Sequence, residues 1–152
     1  MTVLIIGYGN PLRGDDAFGY RAAEELQASF IDHREAVVLP VHQLTPELAE
    51  SIAKEDGVIF LDADVTLAPG EIAVKRVEAT DTPLTHSASP AGLLHLALAV
   101  YDAAPQAWLI GMGGESFELK EGLSEAAARA VESAVAAASH LMEPTLPAYP
   151  SG

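Results

Sequence analysis

The sequence predicts a three-layer α/β/α domain around a mostly parallel central sheet of about five strands. Apolar, β-branched runs at residues 3–6, 36–41, 58–61 and 106–112 have the composition of strands buried on both faces. The segments between them carry apolar residues at helical spacing or clear helix-start signals. Strands alternating with helices give parallel pairing with helices covering both faces.

Each element has a local justification. The first run ends at Gly7, and Phe18, Ala22, Leu26 and Phe30 then recur every four residues, the spacing of one helix face. Thr45, Pro46 and Glu47 supply an N-cap, a first-position proline and a first-turn acid for a second helix. The third run leads straight into Asp62. Pro69 and Gly70 make a turn, after which Ile72, Val74 and Val77 alternate with polar neighbours as in an edge strand with one wet face. Ser89 and Pro90 open another helix, with Leu93, Leu94, Leu96, Ala97 and Val100 expected on its buried side. Gly113 and Gly114 follow the last strand, and Ser124 caps an alanine-rich helix running to about Met142. There is no internal repeat and no linker. Residues 1–142 read as one domain, and 143–152, with three prolines, as a flexible tail.

The totals narrow the function. A chain of 152 residues, 49% apolar, has material for a single core. Its net charge of −14 opposes binding to nucleic acid or anionic membrane, both of which require Lys and Arg against phosphate. The absence of cysteine removes thiolate nucleophiles, disulfides and Cys-based metal centres. The apolar run at the N-terminus is too short for a signal peptide and lacks a basic start, and no run approaches a membrane span, so a cytoplasmic location is expected.

In parallel sheets of this kind the site lies beyond the carboxyl ends of the strands. There the sequence places Gly7 to Asn10 and then Asp15 and Asp16 after the first strand, His42 and Gln43 after the second, Asp62 and Asp64 after the third, and Gly113 to Ser116 after the last. The glycines do not make a dinucleotide fingerprint, because Leu12 stands where the third glycine belongs and Pro11 and Gly14 prolong the loop. Ser116 lacks the surrounding glycine pattern of a nucleophilic serine elbow. Asp15 suits a helix cap, which leaves Asp16 without that duty. Asp62 ends a buried strand, where a charge needs a partner or a cation unless it forms a turn with residues 63–66.

Of five histidines, His33 and His140 read as solvated and His95 as a boundary residue of its helix. His86, just before the helix start at Ser89, and His42 can both reach the rim. One imidazole with two carboxylates is a divalent-metal set that suits nickel or zinc.

The segment Gly7-Tyr8-Gly9-Asn10-Pro11-Leu12-Arg13-Gly14-Asp15-Asp16-Ala17-Phe18-Gly19 resembles the signature of the hydrogenase maturation proteases. Further likeness lies in His42-Gln43-Leu44-Thr45-Pro46-Glu47-Leu48, Leu61-Asp62-Ala63, Thr85-His86-Ser87 and Gly114-Glu115-Ser116-Phe117-Glu118, so that it spans about residues 3–142. The resemblance implies an α/β/α endopeptidase that removes a C-terminal extension from the large-subunit precursor of a nickel–iron hydrogenase. It implies that nickel arrives in the precursor, with no tightly bound cofactor, and is met by Asp16, Asp62 and His86, with His42 in reserve as the histidine. Gly9, Asn10 and His42 are the candidates for contact with the precursor chain; the same glycine loop also serves as a tight turn required by the fold.

Two other classes use the same residues. A chaperone or checkpoint module would sense nickel in the precursor without cutting it. A small-molecule, metal-dependent hydrolase would carry its own metal.

Overall fold

A computed structural model describes residues 2–29, 36–79, 89–119 and 121–142. The strands are β1 (Val3–Tyr8), β2 (Ala36–Val41), β3 (Gly57–Ala63), β4 (Ile72–Arg76) and β5 (Gln106–Met112). The helices are α1 (Phe18–Ser29), α2 (Leu48–Ala53), α3 (Pro90–Tyr101) and α4 (Glu125–Met142), and a 3-10 turn, Gly14–Ala17, leads into α1. The sheet order is β2-β1-β3-β5-β4, parallel except for β4, which pairs antiparallel with β5 at the edge.

The period of two along each strand divides the core into two halves. On β1, Val3 and Ile5 face α1 and α4, while Leu4 and Ile6 face α2 and α3. On β3, Ile59 and Leu61 join the first half, and Val58 and Phe60 the second. Phe18 and Phe60, both fully buried, anchor the two halves, each contributing about 1.5–3 kcal/mol by burial. The result is the three-layer architecture read from the sequence.

Two glycines set how closely α1 lies on the sheet. A β-carbon on Gly7 would stand 2.0 Å from the carbonyl oxygen of Gly19, and one on Gly19 would stand 2.1 Å from that of Leu61. With only hydrogens there, the helix backbone touches the strands directly. The first helical turns, and the 3-10 turn before them, are thereby held against the ends of β1 and β3.

Ser89 caps α3 as expected, its Oγ accepting from the Gly92 amide at 3.0 Å, and Ser124 caps α4 through the Ala127 amide at 3.2 Å. The second helix begins later than its sequence signals. Thr45 and Pro46 form a turn whose carbonyls accept from Leu48 and Ala49, and the helix starts at Leu48 without a side-chain cap. Val100 is 59% exposed rather than buried, because the inward stripe of α3 ends at Ala97. Phe30, His33, His86 and the tail at 143–152 lie outside the described residues. Among the described residues no helix is long and apolar enough to cross a membrane.

Candidate active site

The connections leaving β1 and β3 diverge. From β1 the chain goes through α1 to β2 on one side, and from β3 it goes on to β4 and β5 on the other. The carboxyl ends of these adjacent strands therefore open a crevice at a topological switch point. The loop after β1 and the end of β3 supply its walls.

The loop after β1 is folded on its own carboxylate. The Asn10 amide donates to Asp16 Oδ2 at 2.8 Å, the Leu12 amide to Asn10 Oδ1 at 2.9 Å, and the Asp16 amide to the Arg13 carbonyl at 3.1 Å. Gly9 is buried beneath this arrangement, at φ 152°, and a β-carbon there would stand 1.8 Å from the Asp16 carbonyl oxygen. Its missing side chain is thus used by the loop itself. The Asn10 side chain bonds across the turn, and Asp16, half-buried, is left with its second oxygen at the rim.

Asp15 has a different task. Its side chain is 1% exposed, yet it accepts from the Ser124 amide, the Ser124 hydroxyl and the Glu115 amide at 2.7 Å each, and from the Ser116 amide at 3.2 Å. Burial alone would raise its pKa, but these four donors outweigh it and hold the carboxyl below its ordinary value. Asp15 does not cap the helix that follows it. It ties the loop after β1 to the loop after β5 and to the start of α4.

Asp64, not Asp62, makes the turn after β3. Asp64 Oδ1 accepts from the Thr66 amide and hydroxyl at 2.9 and 2.6 Å, and its Oδ2 lies 3.7 Å from Lys75 Nζ. Asp62 is thereby spared that role. One step beyond the Gly7–Leu61 pair, it stands beside Tyr8, and the alternation of both strands turns the two side chains toward the α2–α3 face. The Tyr8 hydroxyl lies close to its carboxylate.

Burial pushes the pKa of Asp62 up to about 6, with the nearby charges of Asp16 and Asp64 adding to the rise and the bonds from Tyr8 and the Ala63 amide opposing it. The Tyr8 phenol is raised above its ordinary value, by burial first and by the charges of Asp62 and Asp16 next. Asp62 is half-buried, repelled by a second carboxylate, and only partly compensated by hydrogen bonds. A cation between Asp16 and Asp62 would offset both the desolvation and the repulsion, which is the electrostatic form of a site that receives one.

The histidines contribute less to this geometry. His42 is exposed and its ring packs at a tilt against Tyr20 of α1, at 5.2 Å between centroids and 57° between planes. Among the described residues no group of three or more His, Asp or Glu side chains is arranged to hold a metal. His86 lies outside the described residues, in the sequence that precedes α3. Tyr8 is the site residue that the sequence reading passed over. Its signal was available in the alternation Leu4, Ile6, Tyr8 beside Val58, Phe60, Asp62, once the two strands are paired.

No family model matches the chain. It is 29% identical over 142 residues to the hydrogenase 2 maturation protease of Escherichia coli, covering 89% of this chain and 87% of that protein. It is also 29% identical, over 145 residues, to a putative hydrogenase maturation protease of Methanocaldococcus jannaschii, covering 88% and 91%. Its fold matches the solved structure of the hydrogenase maturating endopeptidase HybD of Escherichia coli with a TM-score of 0.78 at 27% identity, over 95% of this chain and 94% of that one. Sequence and fold thus agree over nearly the whole length in likening the chain to the hydrogenase maturation proteases, which are peptide hydrolases.

Proposed function

We propose that this protein is the endopeptidase that removes the C-terminal extension of a nickel–iron hydrogenase large-subunit precursor, and that it acts on the nickel-loaded form. The observation that carries this reading is the convergence of Asp16 and Asp62 at the switch point between β1 and β3, with Asp62 destabilised as an anion by burial and by Asp16. Nickel comes with the substrate. Asp16 and Asp62 meet it there, and His86, in the segment that leads to α3, is the third ligand in this reading. Imidazole and carboxylate together suit nickel. The metal so held can polarise the scissile carbonyl or lower the pKa of an attacking water. A precursor without nickel leaves the two carboxylates facing each other uncompensated, which makes loaded substrate the preferred one.

The test is mass spectrometry of the precursor before and after incubation with the protein, with and without nickel. Loss of one C-terminal peptide from the loaded precursor alone is the expected result. Unchanged mass despite complex formation would replace this reading with that of a non-cleaving nickel sensor. Cleavage of both forms would remove nickel from the recognition step.

A further inference from the structure

Tyr8 occupies a position that packing alone does not explain. Its ring lies against the α2–α3 half of the core with Leu39 and Val41, where a phenylalanine would pack equally well. The hydroxyl instead stands beside Asp62 of the adjacent strand, one step past the last β1–β3 pair and on the same face of the sheet. We infer that Tyr8 is a positioning residue of the reaction, whose hydroxyl holds one oxygen of Asp62 and leaves the other turned to the substrate.

The physical case rests on how a carboxylate is oriented. Asp62 is at the end of its strand, and its neighbours Asp16 and Asp64 repel it. A lone carboxylate there would rotate toward water and away from Asp16. A phenol donor fixed by the core opposes that rotation, as groups behind a metal ligand commonly do. The Asp16 carboxylate is fixed by a different device, the amide of Asn10 at 2.8 Å. In this inference each of the two acids has one oxygen held by a donor from β1 or the loop that follows it.

The inference depends on the reading of Asp62 given above, and the experiment separates the two. The full chain and its Tyr8→Phe variant are incubated with nickel-loaded large-subunit precursor, and kcat and KM for release of the C-terminal peptide are measured, with circular dichroism as the check on folding. A 10–100-fold fall in kcat, the usual cost of losing a group behind a metal ligand, is expected with KM changed less than about twofold. Replacement of Tyr8 by 3-fluorotyrosine, which keeps the donor, should restore most of the rate. Equal kcat for Tyr8→Phe and wild type overturns the inference while leaving the proposed function intact. A loss confined to KM, or one that 3-fluorotyrosine does not restore, overturns it as well and makes Tyr8 a packing or substrate-contact residue. Failure of the wild-type protein to cut overturns the proposed function itself.

Discussion

Asp15 and Ser124 are joined twice: the amide and the hydroxyl of Ser124 both donate to the Asp15 carboxylate at 2.7 Å, across 109 residues of sequence. With the amides of Glu115 and Ser116 on the same group, one buried side chain unites the loop after β1, the loop after β5 and the cap of α4. Asp15→Ala would strand four donors in an interior site. We expect a loss of about 3–5 kcal/mol in urea unfolding, against about 1–2 kcal/mol for Ser124→Ala, which removes the hydroxyl and the cap alone. The pH dependence has a definite sign. Because the folded pKa is depressed, this contribution is complete above the ordinary value of 3.8 and disappears as pH falls through the folded value. The acid unfolding limb should therefore flatten in Asp15→Ala.

Gly19 has no room for a side chain. A β-carbon there would meet the carbonyl oxygens of Leu61 at 2.1 Å and Tyr8 at 2.5 Å, both backbone atoms of strands that cannot yield separately. Gly19→Ala must lift α1 from the sheet and with it the 3-10 turn bearing Asp16. A destabilisation of about 3 kcal/mol or more is expected, beyond the usual range for an added methyl in a core. Chemical denaturation checks it, and a cost below about 1 kcal/mol would show that the helix shifts without resistance.

Asp62 should weaken the fold where it serves the site. Its folded pKa, about 6, lies above the ordinary 3.8, so the folded state retains a proton that the unfolded chain has lost. Stability therefore declines as pH rises between these values, by about 1–2 kcal/mol after allowance for solvent at the rim. Asp62→Asn removes that decline. In the metal-free protein its melting temperature should exceed wild type by a few degrees at pH 7.5 and match it near pH 4.5, while precursor processing is lost. Scanning calorimetry at the two pH values is the check, and equal melting temperatures at both would mean that Asp62 is not penalised by folding.

The elements buried on both faces were legible in the sequence because such burial leaves no room for polar residues. Residues 3–6 and 58–61 are unbroken apolar runs for that reason. Asp16 and Asp62 were legible as residues of one rim because they follow two strands that pairing makes neighbours. Asp15 was not, since nothing near it in sequence announces Ser116 or Ser124 as its partners, and a local cap was the natural reading. The second helix was misplaced by two residues because Thr45 and Pro46 serve equally well in a turn. Tyr8 required the register of β1 on β3, which periodicity alone does not supply.

Asp16→Asn separates charge from shape at the other side of the crevice. An asparagine oxygen can still accept from the Asn10 amide, now at 2.8 Å from Asp16 Oδ2, so the loop should keep its fold and the melting temperature should stay within about 2 °C of wild type. What is lost is the anion. Burial remains the larger cause of the raised pKa of Asp62, but the repulsion from Asp16 disappears, so Asp62 should titrate below its value of about 6 when followed by carboxyl NMR in the metal-free variant. Under the proposed function the same substitution removes half of the negative charge that meets the substrate's nickel. Processing should then fall by at least a hundredfold, since a metal held by one carboxylate fewer is bound more weakly and activates its ligands less. A lowered Asp62 pKa with near-normal processing would place Asp16 in the electrostatics of the crevice but outside the reaction, and Asp62 would then have to act without it.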